Sequence, residues 1–493
     1  MGFKVLKSAI IEGSAARLGR LALAGRRSIE TPNFFAVTSR GVVPHVTPDN
    51  VNKHVHAGGT YVALEDFIER PQKDLKRPPP IYNAPTTQQR PRALHSFTAM
   101  SPSIVTILGA RRIPAVPSPM GNKNAAISVC TSTGFQVLTT KDYHSAISTL
   151  RPDIAIPLAD LSHTSITPNS KRALRMAERT DDWLKAYSTD LDQCPSPLGI
   201  ATFAPIPPVS YSIQWEYISR LSEDLVPSQT LAGLALYDPS LLPDMLTDYP
   251  NLSPLPRLSL SAPTTPQRIL GEIALGADAF VLPSINTISD AGIALNFTFP
   301  APDASSVPLQ NGTRLLPLGS DLSSPTYKFS TAPLSENCQC YACKRHSAAY
   351  VHHLLSAREM LGWTLLQMHN HAVMDAFFAG VRNALAQGQA AFEEGLRGFN
   401  LVYEPEFPAG TGERPRARGY QYKSEGGDAK LNRPAWEKFD TDKKEEVGVQ
   451  NEEPGVQVGG GQNEGVETPL VLDEVEGGGK ELGKKGFGGA VRG

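Results

Sequence analysis

No stretch of the 493-residue chain comes near the roughly 18 consecutive apolar residues that a membrane-spanning helix needs, so no integral membrane segment is expected. Charge excess is equally absent. Lys and Arg total 47 against 49 Asp and Glu, a formal charge of −2, which excludes a protein that holds nucleic acid by net charge alone. Cysteine is scarce, five residues and an odd number, which argues against a disulfide scaffold in a chain this long. A secretory h-region with a small-residue cleavage site is missing. The early glycines Gly13, Gly19 and Gly25 read as punctuation between short strands rather than as a transit peptide. Finally, no Gly-x-Gly-x-x-Gly or Walker sequence follows any apolar run, which disfavours an open nucleotide-binding sheet.

What is present is a rhythm. Short apolar runs occur at 34–38, 60–64, 126–130, 154–158, 198–203, 231–236, 257–261 and 279–282, and amphipathic helical segments at 141–149, 171–188, 211–223 and 265–275 follow several of them. Eight buried strands with helical crossovers predict an α/β fold, a (β/α)₈ TIM-like barrel with N-terminal strands over residues 1–298. Function then belongs at the C-terminal strand ends, including Thr131 to Gln136, Ala159-Asp160, Gly233 to Tyr237 and Pro283 onward. A Pro- and Ser-rich loop over 299–335 leads into a zinc-binding helical subdomain, the two together spanning 299–404. Residues 405–493 hold 19 of the 41 glycines beside Glu and Lys runs. This composition predicts a disordered tail with one short helix near Trp436.

Three of the five cysteines stand at Cys338, Cys340 and Cys343, and His369 follows after 25 intervening residues. Three thiolates and an imidazole form a closed tetrahedral set suited to one structural Zn²⁺. On spacing alone, His371 competes with His369 for the fourth position.

The zinc segment, with Ala349 to Leu354, Glu359 to Gly362 and His369-Asn370, resembles the tRNA-guanine transglycosylase family, the queuine tRNA-ribosyltransferases. So do ARLGRL at 16–21, IETPNFFAV at 29–37, VTPDNV at 46–51, TSTGFQVL at 131–138, AGLAL at 232–236 and GADAF at 276–280. The resemblance implies a barrel with a zinc-bearing insertion, His369 as the fourth ligand, and action on tRNA. The family exchanges a base at a ribose C1′ with two carboxylates, as a retaining glycosidase does. Neither carboxylate is retained: Thr131 stands at the acid/base position and Val281 at the nucleophile position. Asp278 reads as structural. A third carboxylate position falls on Ala159, with Asp160 one place on. Gly233, Leu234 and Ala235 resemble the family's base-recognition loop and, with Asp160, are the base-binding candidates.

These losses imply a non-catalytic subunit. Its expected partners are the catalytic queuine tRNA-ribosyltransferase subunit in a heterodimer, tRNA, and queuine itself. The dimer would exchange guanine for queuine at the anticodon wobble position of tRNAs with GUN anticodons. The cytoplasm is the expected compartment, with peripheral attachment to the mitochondrial outer membrane implied by the same resemblance. Two alternatives stay open at this level: a divergent active transglycosylase using Asp160 and Asp278, and a zinc-stabilised tRNA- or queuine-binding barrel acting alone. Of the basic clusters, Lys344-Arg345-His346 lies beside the zinc ligands, Arg111-Arg112 is weaker, and Lys171 to Arg179 reads as a solvated helix face. Arg414 to Arg418 lies in the tail, and residues 345–390 read as subunit interface.

Overall fold

The computed structural model describes residues 1–8, 15–68, 79–118, 121–131, 133–162, 167–192, 199–306, 315–412 and 414–415. The tail and the helix expected near Trp436 lie outside these residues.

Three antiparallel strands open the chain: β1 (Gly2–Ser8), β2 (Arg17–Ala22) and β3 (Ile29–Thr31). The barrel follows, from β4 (Asn33–Val37), β5 (Gly59–Ala63) and β6 (Val105–Gly109). A hairpin of β7 (Ala126–Thr131) and β8 (Gly134–Thr139) then interrupts it. The barrel resumes with β9 (Ile154–Ala155), β10 (Ala201–Ile206), β11 (Gly233–Leu236), β12 (Arg257–Ser259) and β13 (Ala279–Leu282). These eight strands run parallel, and β13 pairs with β4 to close the ring. A short ribbon, β14 (Ile293–Leu295) with β15 (Gly319–Asp321), stands outside it, so the 299–335 segment is not wholly loop.

The helices in chain order are α1 (Pro48–His54), α2 (Ala93–Thr98), α3 (Thr140–Leu150), α4 (Ser170–Asp192), α5 (Tyr211–Arg220) and α6 (Leu242–Asp248). After them come α7 (Pro266–Ala274), α8 (Ser284–Asp290), α9 (Tyr341–Arg345), α10 (Ala348–Ser356), α11 (Met360–Gln387) and α12 (Gln389–Val402).

The barrel is the one the sequence predicts, with one exchange of staves. The apolar run at 126–130 is an arm of the antiparallel hairpin, and Val105–Gly109 takes its place in the ring. A buried hairpin arm and a barrel stave present the same run of apolar residues, so periodicity cannot separate them.

Alternation along each strand sorts side chains into two layers. Phe35, Tyr61, Ile107, Ile154, Phe203, Ala235, Leu258 and Val281 fill the lumen, where Leu21, Leu23 and Ile29 join them from the N-terminal segment. Their neighbours Phe34 and Phe280 face outward onto α11, whose Phe378 stacks near both at ring separations of 5.5 and 5.7 Å. The packing is close enough that Gly380 has no room for a side chain: a β-carbon there would lie 1.9 Å from the Phe299 carbonyl oxygen.

Two ion pairs mark the strand-start end of the barrel. Arg17 from β2 holds Asp278, just before β13, and Arg26 holds Asp153, just before β9.

Candidate functional site

At the opposite end, where the strands finish, a cavity of about 300 Å³ opens among Tyr61, Arg111, Ile156, Ala159, Tyr237 and Ser261. Its walls are largely apolar. Tyr61 donates to the Arg111 carbonyl at 2.7 Å. Burial lifts the Tyr237 hydroxyl to about 12, so it stays protonated at neutral pH.

Behind the mouth, Glu65 and Asp66 follow β5 and are both buried. Glu65 accepts from the Arg112 amide at 2.7 Å and the Cys130 amide at 2.9 Å, which ties the β7–β8 hairpin to the barrel. Arg112 lies 3.1 Å from Glu65 and 3.0 Å from Asp66. Sequence reasoning missed this group. Its signal is the Leu-Glu-Asp directly after an apolar strand.

The metal cluster is built on two elements. Cys340 caps α9 and accepts from the Cys343 amide at 3.4 Å, which folds the three cysteines into one turn. His369 comes from the interior of α11 and is fully buried. Its Nδ1 lies 3.7, 3.5 and 3.4 Å from the sulfurs of Cys338, Cys340 and Cys343. A tetrahedral Zn²⁺ with bonds near 2.3 Å to sulfur and 2.0–2.1 Å to nitrogen has S···N edges of about 3.6 Å, so the four donors already stand at its corners. The other ring nitrogen, Nε2, donates to the Leu295 carbonyl at 2.9 Å, which aims the Nδ1 lone pair at the thiols. His371 is excluded. It points away to stack on Phe34 at 5.8 Å, and it shares a 3.3 Å contact with Gln367.

The model of the family described as queuine tRNA-ribosyltransferase matches residues 12–399. The chain belongs to that family. Among its relatives is a Schizosaccharomyces pombe protein named queuine tRNA-ribosyltransferase accessory subunit 2. It is 32% identical over 87% of this chain and 91% of its own length. Proteins of the same name from Culex quinquefasciatus and Xenopus tropicalis are 26% and 25% identical, each over 76% of this chain and covering 86% and 95% of their own lengths.

Within the queuine tRNA-ribosyltransferase family the remaining site residues can be placed one by one. Val281 is fully buried in the lumen among apolar neighbours. Thr131 is fully buried at the hairpin turn, where its hydroxyl donates to the Gly134 carbonyl at 2.8 Å. Ala159 lines the mouth. Asp160 is fully buried behind it and clamped: Arg172 reaches it at 2.6 and 2.9 Å, Arg179 at 3.1 Å and Asn122 at 2.8 Å. Asp278 is at the far end, held by Arg17 and the Arg257 amide, so the structure does not bring Asp160 and Asp278 into one site.

Gly233, Leu234 and Ala235 are not a loop. They are strand β11, and the Leu234 amide donates to the Pro256 carbonyl at 2.9 Å. The helix face at 171–179 is only partly solvated, since Arg172 and Arg179 turn inward to Asp160. No helix among the described residues is long and apolar enough to cross a membrane.

Proposed function

We propose that this chain is the non-catalytic subunit of a queuine tRNA-ribosyltransferase heterodimer. Its catalytic partner would exchange guanine for queuine at the wobble position of tRNAs with GUN anticodons. The observation that carries this reading is Val281. A family member that performs the exchange needs a carboxylate nucleophile, and a valine in an apolar lumen has no atom to attack C1′. Thr131 supports it, because a hydroxyl spent on a turn does not titrate as a carboxylic acid. The names of the relatives agree.

The Cys₃His cluster would hold a structural Zn²⁺. Four protein ligands leave no open position for a reacting water. The exposed Tyr350, Met360 and Leu361 support the 345–390 region as the surface that meets the partner subunit. Labelled queuine incorporation into tRNA tests the reading. Activity is expected from the mixture of the two subunits and not from this chain alone. Turnover by this chain alone overturns it.

A further inference from the structure

A second cavity, of about 450 Å³, adjoins the barrel mouth and shares Arg111 and Leu161 with it. Five cations face it. Arg111 comes from the turn after β6, and Lys171, Arg172, Arg175 and Arg179 come from the first three turns of α4. Lys171, Arg175 and Arg179 recur at i, i+4 and i+8, so they form one row along the helix. Like charges at that spacing repel and destabilise a helix by themselves.

The compensating acid is Asp160, and its two oxygens are already occupied by Asn122, Arg172 and Arg179. Lys171 and Arg175 have no carboxylate partner among the described residues. Burial holds the Arg111 guanidinium below its ordinary value against the pull of Glu65 and Asp160; a terminal nitrogen donates to Asn122 Oδ1 at 3.0 Å, and its Nε has no hydrogen-bond partner among the described atoms. The amides at the start of α4 add further positive potential. Asn169 Oδ1 caps one of them, accepting from the Arg172 amide at 2.9 Å. A concave wall that gathers five cations, two of them exposed and without a carboxylate partner among the described residues, is arranged for an anion.

The form of the anion follows from the layout. Arg172 and Arg179 are fixed by Asp160 as the inner wall, while Lys171 and Arg175 are exposed on the rim. The charged track therefore runs from solvent to the mouth, where Tyr61 and Tyr237 wait. A groove of cations leading to a largely apolar, tyrosine-bearing cavity is the layout that follows a single nucleic-acid strand.

We propose that this cavity binds successive phosphodiester groups of an RNA strand and leads that strand across the barrel mouth of this subunit. Asp160 is then a positioning residue for two of the cations. The proposal rests on the functional reading above, which supplies RNA as the substrate class, and adds where this chain grips it.

The test uses the full chain assembled with its catalytic subunit. Lys171→Glu with Arg175→Glu changes two exposed rim residues without touching the Asp160 clamp. The tRNA Kd of the double variant is expected to rise at least about tenfold at 0.1 M salt. The slope of log affinity against log salt should shrink by about two. Wild-type Kd and slope in the variant complex would overturn the proposal. So would competition by guanosine monophosphate or inorganic phosphate at concentrations where a single-stranded oligoribonucleotide also competes, since the site would then take a small anion. The wild-type complex, assayed in parallel for queuine incorporation, separates the two claims. Failure of this chain to raise incorporation over the catalytic subunit alone sinks the functional reading, whatever the rim variant does to affinity.

Discussion

Arg17 and Asp278 meet in a two-armed ion pair beneath the barrel: Nε donates to Oδ1 at 2.8 Å and a terminal nitrogen donates to Oδ2 at 2.5 Å. Both side chains are almost wholly buried, 4% and 1% exposed. The same guanidinium also donates to the carbonyls of Ser253 and Leu255. One residue of the N-terminal sheet thus ties itself to two further segments, 253–255 and the start of β13, at the strand-start end.

Removing one member of such a pair leaves the other charged, buried and alone, a cost of about 3–5 kcal/mol. Arg17→Met is therefore expected to lower the denaturation midpoint sharply. Asp278→Asn should also weaken the fold, while whatever folded protein remains supports queuine incorporation normally. Lost incorporation in an Asp278→Asn chain of undiminished stability would instead make Asp278 part of the chemistry.

Restoring the missing nucleophile should fail. Val281→Asp places a carboxylate in a lumen lined by Phe35, Val37, Leu258 and Ala279. The expected result is a loss of about 3 kcal/mol or more in urea titration, and no covalent RNA adduct on a denaturing gel. An adduct would show that the lumen opens to the ribose.

The two histidines of α11 separate cleanly by metal content. His369→Ala and Cys343→Ser are expected to abolish stoichiometric zinc by elemental analysis and to lower thermal stability. His371→Asn should keep one zinc per chain, because its ring points to Phe34. Zinc that survives His369→Ala but not His371→Asn would reverse the ligand assignment.

Asp66 offers a pH test. Burial raises its carboxyl from 3.8 to about 6, with Arg112 pulling the other way. The folded-state value lies above the unfolded one, so the folded form holds the proton more tightly. Stability from this group is therefore gained as pH falls through about 6 and is complete below about 3.8. The total is up to about 3 kcal/mol at roughly 1.4 kcal/mol per pH unit. The stability difference between wild type and Asp66→Asn should shift in favour of wild type between pH 7 and pH 4.5. A difference that does not move with pH would mean that Asp66 titrates normally.

Gly380 makes a purely steric prediction. Alanine there drives a methyl group into the Phe299 carbonyl, and neither backbone yields cheaply. Gly380→Ala is expected to cost about 1–3 kcal/mol by chemical denaturation, despite alanine's better helix propensity. Unchanged or raised stability would show that α11 and Phe299 can separate.

How far the sequence reached depended on distance along the chain. Cys338, Cys340, Cys343 and His369 were legible because the ligand chemistry allows few spacings. His369 was separable from His371 only through the family resemblance, since the decision depends on which ring faces Leu295 and which faces Phe34. Seven staves were legible as apolar runs, and Val105–Gly109 was not, because the hairpin arm at 126–130 offers the same kind of buried apolar run and filled the eighth place. The partnership of Asp160 with Arg172 and Arg179 was invisible: nothing in a helical row of cations says that two of them turn toward a strand end.

Helix α11 has 28 residues and is therefore about 42 Å long. Near its start Thr364 donates to the His45 carbonyl, on the loop after β4. His369 offers its nitrogen to the metal cluster a little over one turn later. Near its end Arg382 donates to the carbonyl of Pro32, just before β4, and Lys7 of β1 donates to Ala386. The helix thus works as a lever arm with the Cys₃His cluster near one end and the N-terminal sheet at the other. Chelation should be felt at both, so amide exchange in β1 and at the start of β4 would quicken when zinc is withdrawn from cysteines more than 300 residues away in sequence.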